Sequence, residues 1–310
     1  MGKAGSISLM ASAFSTREKE AYDIQGQYWL NETNGEEQLG VGTYMEHARN
    51  FLHSNSATAK LAYEYRNSKH HVQAGLGWRH EHIREESREW EYRDSSGYSV
   101  PHTGEALHVI YNLKSNNTVN SSHTELYLQD TYRTESKAGI LSINYGARLS
   151  HWTWNGEWLF SPRACLGYVP AANDAFTFRL ATGLYYQRPF YKELRDTVTT
   201  DGNTVVQLNK DIKSQRSFQI LTAMEYKFKL ADRPFKFSTE LYYKAQSRLN
   251  PYNVDNVKVF YYGNDCASGY VIGADFKLYG EFVPGTDSWF SFGLMKAQMR
   301  LNGKSIPLPT

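Results

Sequence analysis

The chain has no hydrophobic run long enough to cross a membrane as a helix. Its longest stretch without Lys, Arg, Asp or Glu is Ala4 to Thr16, 13 residues, against about 20 apolar residues for a spanning helix. Mean hydropathy is −0.59. Cysteine is scarce, with 2 in 310 residues, which excludes a disulfide scaffold. With only 9 Pro and many aromatics, the composition is not that of a disordered chain. Neither sign of charge is in excess: 34 Lys+Arg face 32 Asp+Glu, leaving no basic groove for nucleic acid and no acidic tail. No apolar segment followed by a small-residue cleavage site marks a secretory signal peptide. What the chain has in quantity is aromatic side chains, with 23 Tyr, 15 Phe and 7 Trp.

The dominant pattern is alternation with period two, which sends successive side chains to opposite faces of a strand. Phe176, Phe178, Leu180, Thr182, Leu184 and Tyr186 fall on one face, and Thr177, Arg179, Ala181, Gly183, Tyr185 and Gln187 on the other. The same split recurs at Phe218, Ile220, Met224, Tyr226 and Phe228, at Phe235, Phe237, Leu241 and Tyr243, and at Val72, Ala74, Leu76 and Trp78. About eleven strands are expected, near 4–15, 56–66, 71–84, 122–134, 138–152, 158–169, 175–188, 216–229, 235–247, 267–281 and 288–299. Most run about 10 to 15 residues, longer than globular strands and long enough to cross a bilayer at a tilt.

Short turns and long connections alternate. Turn chemistry occupies 66–69, 134–137, 170–174, 230–234 and 283–287, while 16–55, 85–121, 189–215 and 248–266 read as long loops, with a short exception at 154–157. Tight turns on one side and large loops on the other are the asymmetry of outer-membrane barrels. The fold class is therefore all-β: a partial transmembrane antiparallel β-barrel, about eleven strands of a larger barrel. Tyrosines near strand ends, at Tyr185-Tyr186, Tyr226 and Tyr242-Tyr243, suit interfacial girdles. A soluble carbohydrate-binding β-sandwich gives the same periodicity and stays open, as does a porin-like barrel that works without an energy source.

Ser161-Pro162-Arg163, then Phe178 to Pro189 (FRLATGLYYQRP), together with Glu125 to Tyr132 (ELYLQDTY), resemble barrel strands of TonB-dependent outer-membrane receptors. Phe190 to Asp196 and Ala267 to Asp275 are similar to receptors of the Bacteroidota type. The resemblance covers roughly 56–300. It implies a barrel of 22 strands around an N-terminal plug, placed in the outer membrane of a Gram-negative bacterium. It also implies energised uptake of a nutrient, such as a glycan or metal chelate, without covalent chemistry. The partners implied are outer-membrane lipid, the TonB energy-transducing complex, a surface lipoprotein and the nutrient itself. Against that pattern, residues 1–310 read as a single β-barrel segment, with plug, signal peptide and closing C-terminal strand absent.

Candidate chemistry is sparse. His80-Glu81-His82 offers two imidazoles on one face, short of the three protein ligands a zinc site needs, and no metal or other cofactor is expected. Cys165 and Cys266 are expected as free thiols, and neither has the company of a catalytic nucleophile. No Gly-x-Ser-x-Gly elbow occurs, so the chain is not read as an enzyme. Glu85-Glu86 reads as solvated charge. Asp130 falls on the apolar face of Leu126, Leu128 and Tyr132, a placement that is cheap only near a membrane rim. Ligand capture is expected from inward residues and aromatics at the loop end: Tyr185, Gln187, Arg188, Tyr191, Arg195, Tyr252, Tyr261, Tyr262 and Asn264. Tyrosine there offers both a stacking face and a hydroxyl.

Overall fold

The computed structural model describes residues 4–31, 38–94, 108–200, 203–255, 258–264 and 266–308. Strands β1 (Ala4–Asn31), β2 (Gln38–Arg66), β3 (His70–Asp94) and β4 (His108–Ser136) open the chain, followed by β5 (Gly139–Trp152), β6 (Glu157–Pro170) and β7 (Phe176–Gln187). A 3-10 turn at Tyr191–Leu194 leads into β8 (Arg195–Thr200) and β9 (Asn203–Leu208). Then come β10 (Gln215–Leu230), β11 (Arg233–Leu249), β12 (Tyr252–Asp255), β13 (Lys258–Tyr261), β14 (Ala267–Val283), β15 (Thr286–Leu301) and β16 (Lys304–Pro307).

One 14-stranded sheet contains all of these except the β12-β13 hairpin, and its main path runs β1-β2-β3-β4-β5-β6-β7-β10-β11-β14-β15-β16. All eleven expected strands lie on that path, in sequence order and antiparallel. Among the described residues β1 does not meet β15 or β16, so the sheet is an open piece of barrel wall. Phe178 is 41% and Ile220 39% exposed, and Phe237 is half-buried. Among the described residues no second layer seals that face, which removes the sandwich.

Register explains the two surfaces. Directly paired residues share a face, and Leu9, Leu61, Leu76, Leu126, Leu149 and Phe160 form one unbroken apolar row across β1 to β6. All six are exposed, as they must be to meet acyl chains. Nearer the short turns, an aromatic band of Phe176, Phe178, Tyr226, Phe228 and Phe235 stacks ring on ring at 4.4 to 6.0 Å. The opposite face is polar: Gln129 Nε2 donates to Gln73 Oε1 at 2.5 Å, Asn144 Nδ2 to Thr131 Oγ1 at 2.6 Å, and Arg179 pairs with Glu225 at 3.0 Å. Three inward tyrosine rings lie over glycines on the next strand, Tyr44 on Gly26, Tyr127 on Gly75 and Tyr242 on Gly273, where a Cβ would come within 2.4 Å of the ring.

Asp130 keeps its outward place, paired with Val72 on one side and Tyr145 on the other. It sits near the short-turn rim, held by His70 Nδ1 at 2.6 Å and the Tyr145 hydroxyl at 3.1 Å.

Four expectations need correction. The segments 16–55 and 85–121 are largely not loops: β1 and β2 stay in register from Ala4↔Arg66 to Leu30↔Gly40, and β3 and β4 remain paired to Arg93↔His108. Their outer halves carry charged and polar residues on both faces, so apolar alternation cannot reveal them. The connections 189–215 and 248–266 contain the small hairpins β8-β9 and β12-β13. A twelfth strand on the main path, β16, follows an Asn302-Gly303 turn in which both residues have positive φ, the geometry that favours this dipeptide in hairpins. Finally, only half of each tyrosine pair dresses the outer face, because Tyr185 and Tyr242 point inward, opposite in parity to Phe178 and Leu241.

Placing a cation at the centre of the apolar row should be costly. Leu126→Arg is expected to lower unfolding stability in lipid by about 2–4 kcal/mol, whereas Gln129→Arg on the polar face should leave it within about 1 kcal/mol of the original. Urea unfolding of the vesicle-inserted full-length protein measures both.

Candidate functional site at the loop end of the wall

Period two carries straight from the wall into its outer extension. Glu85, Ser87 and Glu89 of β3 therefore share the inward face with Gly75 and Gly77, and Leu113 and Ser115 of β4 share it with Glu125 and Tyr127. Against this inward face folds the 189–215 connection, whose strand β9 pairs parallel with β4 at Leu113↔Thr204 and Lys114↔Val205.

Two devices fasten the connection. The first is apolar: Leu194, 2% exposed, packs with Val119 and Trp152, flanked by Ile83, Trp154, Tyr191 and Leu208. The second is Glu85, 4% exposed. Its carboxylate accepts from Ser87 Oγ at 2.6 Å, Ser115 Oγ at 2.5 Å and the Tyr191 hydroxyl at 3.0 Å, and pairs with Arg195 at 3.4 Å. A buried carboxylate is stable only when its charge is met in this way. Glu85 is therefore not solvated charge. Its neighbour Glu86 is on the other face, where it pairs with Arg88 at 2.9 Å. Further out, Asn209 Nδ2 donates to the Gly263 carbonyl at 2.9 Å, and Asn250 Nδ2 to the Glu193 carbonyl at 3.4 Å, so the 189–215 and 248–266 connections are tied together.

Between these connections and the wall lies a cavity of about 620 Å³. Glu20, Tyr22, Asn50, Glu89 and Tyr111 form its wall side, and Tyr191, Arg195, Val259 and Tyr261 its loop side. Asn50 Nδ2 bridges Glu20 at 3.2 Å and Glu89 at 2.8 Å. Burial, then the negative charge of Glu89 and Glu20, pushes the Tyr22 phenol up to about 12. Burial and Glu89 raise Tyr111, and burial and Glu85 raise Tyr191. These tyrosines are neutral hydroxyl donors at any physiological pH. The cavity thus offers ring faces, phenolic donors, carboxylate acceptors and one guanidinium, a set that binds polar ligands.

Of the nine expected ligand residues, the fold brings Tyr191, Arg195 and Tyr261 together in this cavity. Tyr252 adjoins as the cross-strand ring partner of Tyr261 at 5.8 Å. Arg188 lies beside the apolar cluster, over Trp152 at 5.6 Å and 3.9 Å from Glu81. Tyr185, Gln187, Tyr262 and Asn264 do not line the cavity. Tyr185 stacks against Arg163 at 4.4 Å, and Tyr262 and Asn264 are exposed. Sequence reasoning missed Tyr22, Glu85, Glu89 and Tyr111, all on segments read as loops. The signal was the spacing Glu81, Ile83, Glu85, Ser87, Glu89, Glu91, an alternation with charge on both faces. His80 bonds Ser122 Oγ at 3.0 Å and stacks on Trp78. Among the described residues no group of three or more His, Cys, Asp and Glu gathers to hold a metal. Both cysteines are free.

Removing Glu85 leaves Arg195 and three hydroxyls without their acceptor. Glu85→Ala should speed amide exchange across 189–208 by at least about tenfold, given the several kcal/mol at stake in a buried pair, while exchange in β5 to β7 stays unchanged. Mass-spectrometric hydrogen exchange reads this. The raised phenols also fix a sign. Between pH 10 and 12 the unfolded chain loses the Tyr22 proton while the folded chain keeps it, so stability falls with rising pH in that window. Tyr22→Phe should flatten that fall in alkaline unfolding curves.

The family model for the TonB dependent receptor-like, beta-barrel family matches residues 9–306. Among solved structures, the RagAB peptide transporter superposes with a TM-score of 0.52 at 11% identity, covering 94% of this chain and 34% of that one. For the FpvAI–pyocin S2 complex the values are 0.50, 12%, 96% and 40%, and for the copper transporter OprC 0.50, 12%, 87% and 44%. Identities this low speak to the fold alone. The chain spans 34% to 44% of the length of these three structures. No curated protein matches it.

Proposed function

Because the chain belongs to the TonB dependent receptor-like β-barrel family, we propose that it forms part of the wall and ligand-capturing mouth of an outer-membrane receptor that imports a nutrient under energy from the TonB complex. The observation that carries this reading is the cavity of about 620 Å³ closed between the inward wall face and two interlocked connections. Capture there is binding and gating. The ligand enters against Tyr191, Tyr261 and Arg195, and its release inward requires the 189–215 connection to part from Glu85. The ligand class proposed is a polar nutrient such as a glycan or metal chelate, which suits ring faces flanked by hydroxyls and charge. In this reading residues 1–310 are a barrel segment that acts with a plug and further strands, and a surface lipoprotein partner belongs over the loop end.

The test uses the full-length receptor. A panel of oligosaccharides, peptides and ferric chelates is screened by thermal shift, and uptake of the ligand so found is followed in whole cells. Uptake should stop when the proton gradient is dissipated, and Tyr191→Ala/Tyr261→Ala should weaken binding by about tenfold or more, at roughly 1 kcal/mol per lost aromatic contact. Uptake that persists without the gradient points instead to a passive porin-like barrel.

A further inference from the structure

The outward face of the first three strands carries two arginines on either side of a histidine where the apolar band ends. Arg17, His53 and Arg84 are direct partners across β1, β2 and β3, on the same outward parity as Leu9, Leu61 and Leu76. Elsewhere on these strands arginines are neutralised: Arg49 by Asp23 at 2.6 Å, Arg88 by Glu86 at 2.9 Å and Arg93 by Glu91 at 2.6 Å. Among the described residues no carboxylate lies within ion-pair distance of Arg17 or Arg84. Lys19 adds a third full charge one row further out, its ammonium over the Phe51 ring at 5.8 Å. Arg17, Lys19, Phe51, His53 and Arg84 border an outward recess of about 300 Å³, together with Leu52 and two carboxylates, Glu18 and the already paired Glu86.

Height fixes what the recess meets. The row of Tyr65, Val72, Asp130 and Tyr145 marks the short-turn rim. Arg84 is 12 residues further along β3 than Val72. At about 3.3 Å per residue and a tilt near 40°, it stands about 30 Å above that rim, some 5 Å beyond an apolar band about 25 Å tall. That is the level of lipid headgroups. We propose that Arg17, His53 and Arg84, with Lys19, seat the phosphate of an outer-leaflet lipid headgroup, whose acyl chains run down the leucine row beneath. The phosphate supplies the anion that the row lacks within the protein.

This inference rests on the outer-membrane placement proposed above, and the experiment separates the two. The full-length receptor is reconstituted into phosphatidylcholine nanodiscs containing diphosphoryl lipid A or its dephosphorylated form, and retained lipid is counted by native mass spectrometry. Insertion is read independently by heat-modifiable gel migration, and failure to insert overturns the placement itself. With insertion intact, the phosphorylated lipid should be retained in preference to the dephosphorylated one. Arg17→Gln/Arg84→Gln should reduce that retention by about tenfold, at roughly a kcal/mol per cation, and Arg17→Lys/Arg84→Lys should keep it. Equal retention of the two lipids, equal retention by the original and the Gln variant, or displacement by inorganic phosphate at matched phosphate concentration overturns the proposal.

Discussion

An amide that faces acyl chains can bond only to the strand beside it, because nothing in hydrocarbon will replace that partner. The wall from β1 to β16 obeys this without a gap in its order, and the rest of the molecule follows from the obedience. Pairing fixes register, and register fixes the face of every side chain. One parity becomes a leucine row and an aromatic band, and the other becomes a polar ladder. The same bookkeeping continues past the apolar band, where Glu85 lies inward for the same reason that Leu76 lies outward.

The cavity at the loop end is thus an outgrowth of the wall. Its floor is made of strands that need no loop to hold them, and only its roof is separately fastened. The fastening mixes an apolar peg, Leu194, with a carboxylate that gathers four donors. Such a joint is stiff while intact and opens as a unit, since losing one donor leaves the others around a buried charge that is less well met.

The transmembrane part was legible because its alternation pits grease against polarity, as at Phe176 to Gln187 and Phe218 to Lys229. Even Asp130, which breaks the pattern, was placed correctly by parity, and the structure supplies the His70 and Tyr145 contacts that accommodate it. The extensions were not legible, because both faces of 81–94 are polar and hydrophobic period is the signal being read. Glu85 and Glu86 illustrate the loss: adjacent in sequence and alike in chemistry, they part to opposite faces, one into a buried network and one to a surface arginine. The candidate site was legible only as a list of loop tyrosines and arginines. Which of them converge depends on β9 docking beside β4, a tertiary choice that no local pattern encodes. The strand β16 was signalled by Asn302-Gly303, a turn dipeptide whose weight was lost beside so short a strand.

The knot of His70, Asp130 and Tyr145 has a mechanical meaning. Sliding the wall deeper would drag an ion and an imidazole into oil, and sliding it the other way would strip the leucine row of its solvent. The molecule therefore carries its own draught mark, drawn by that knot at one edge of the apolar band.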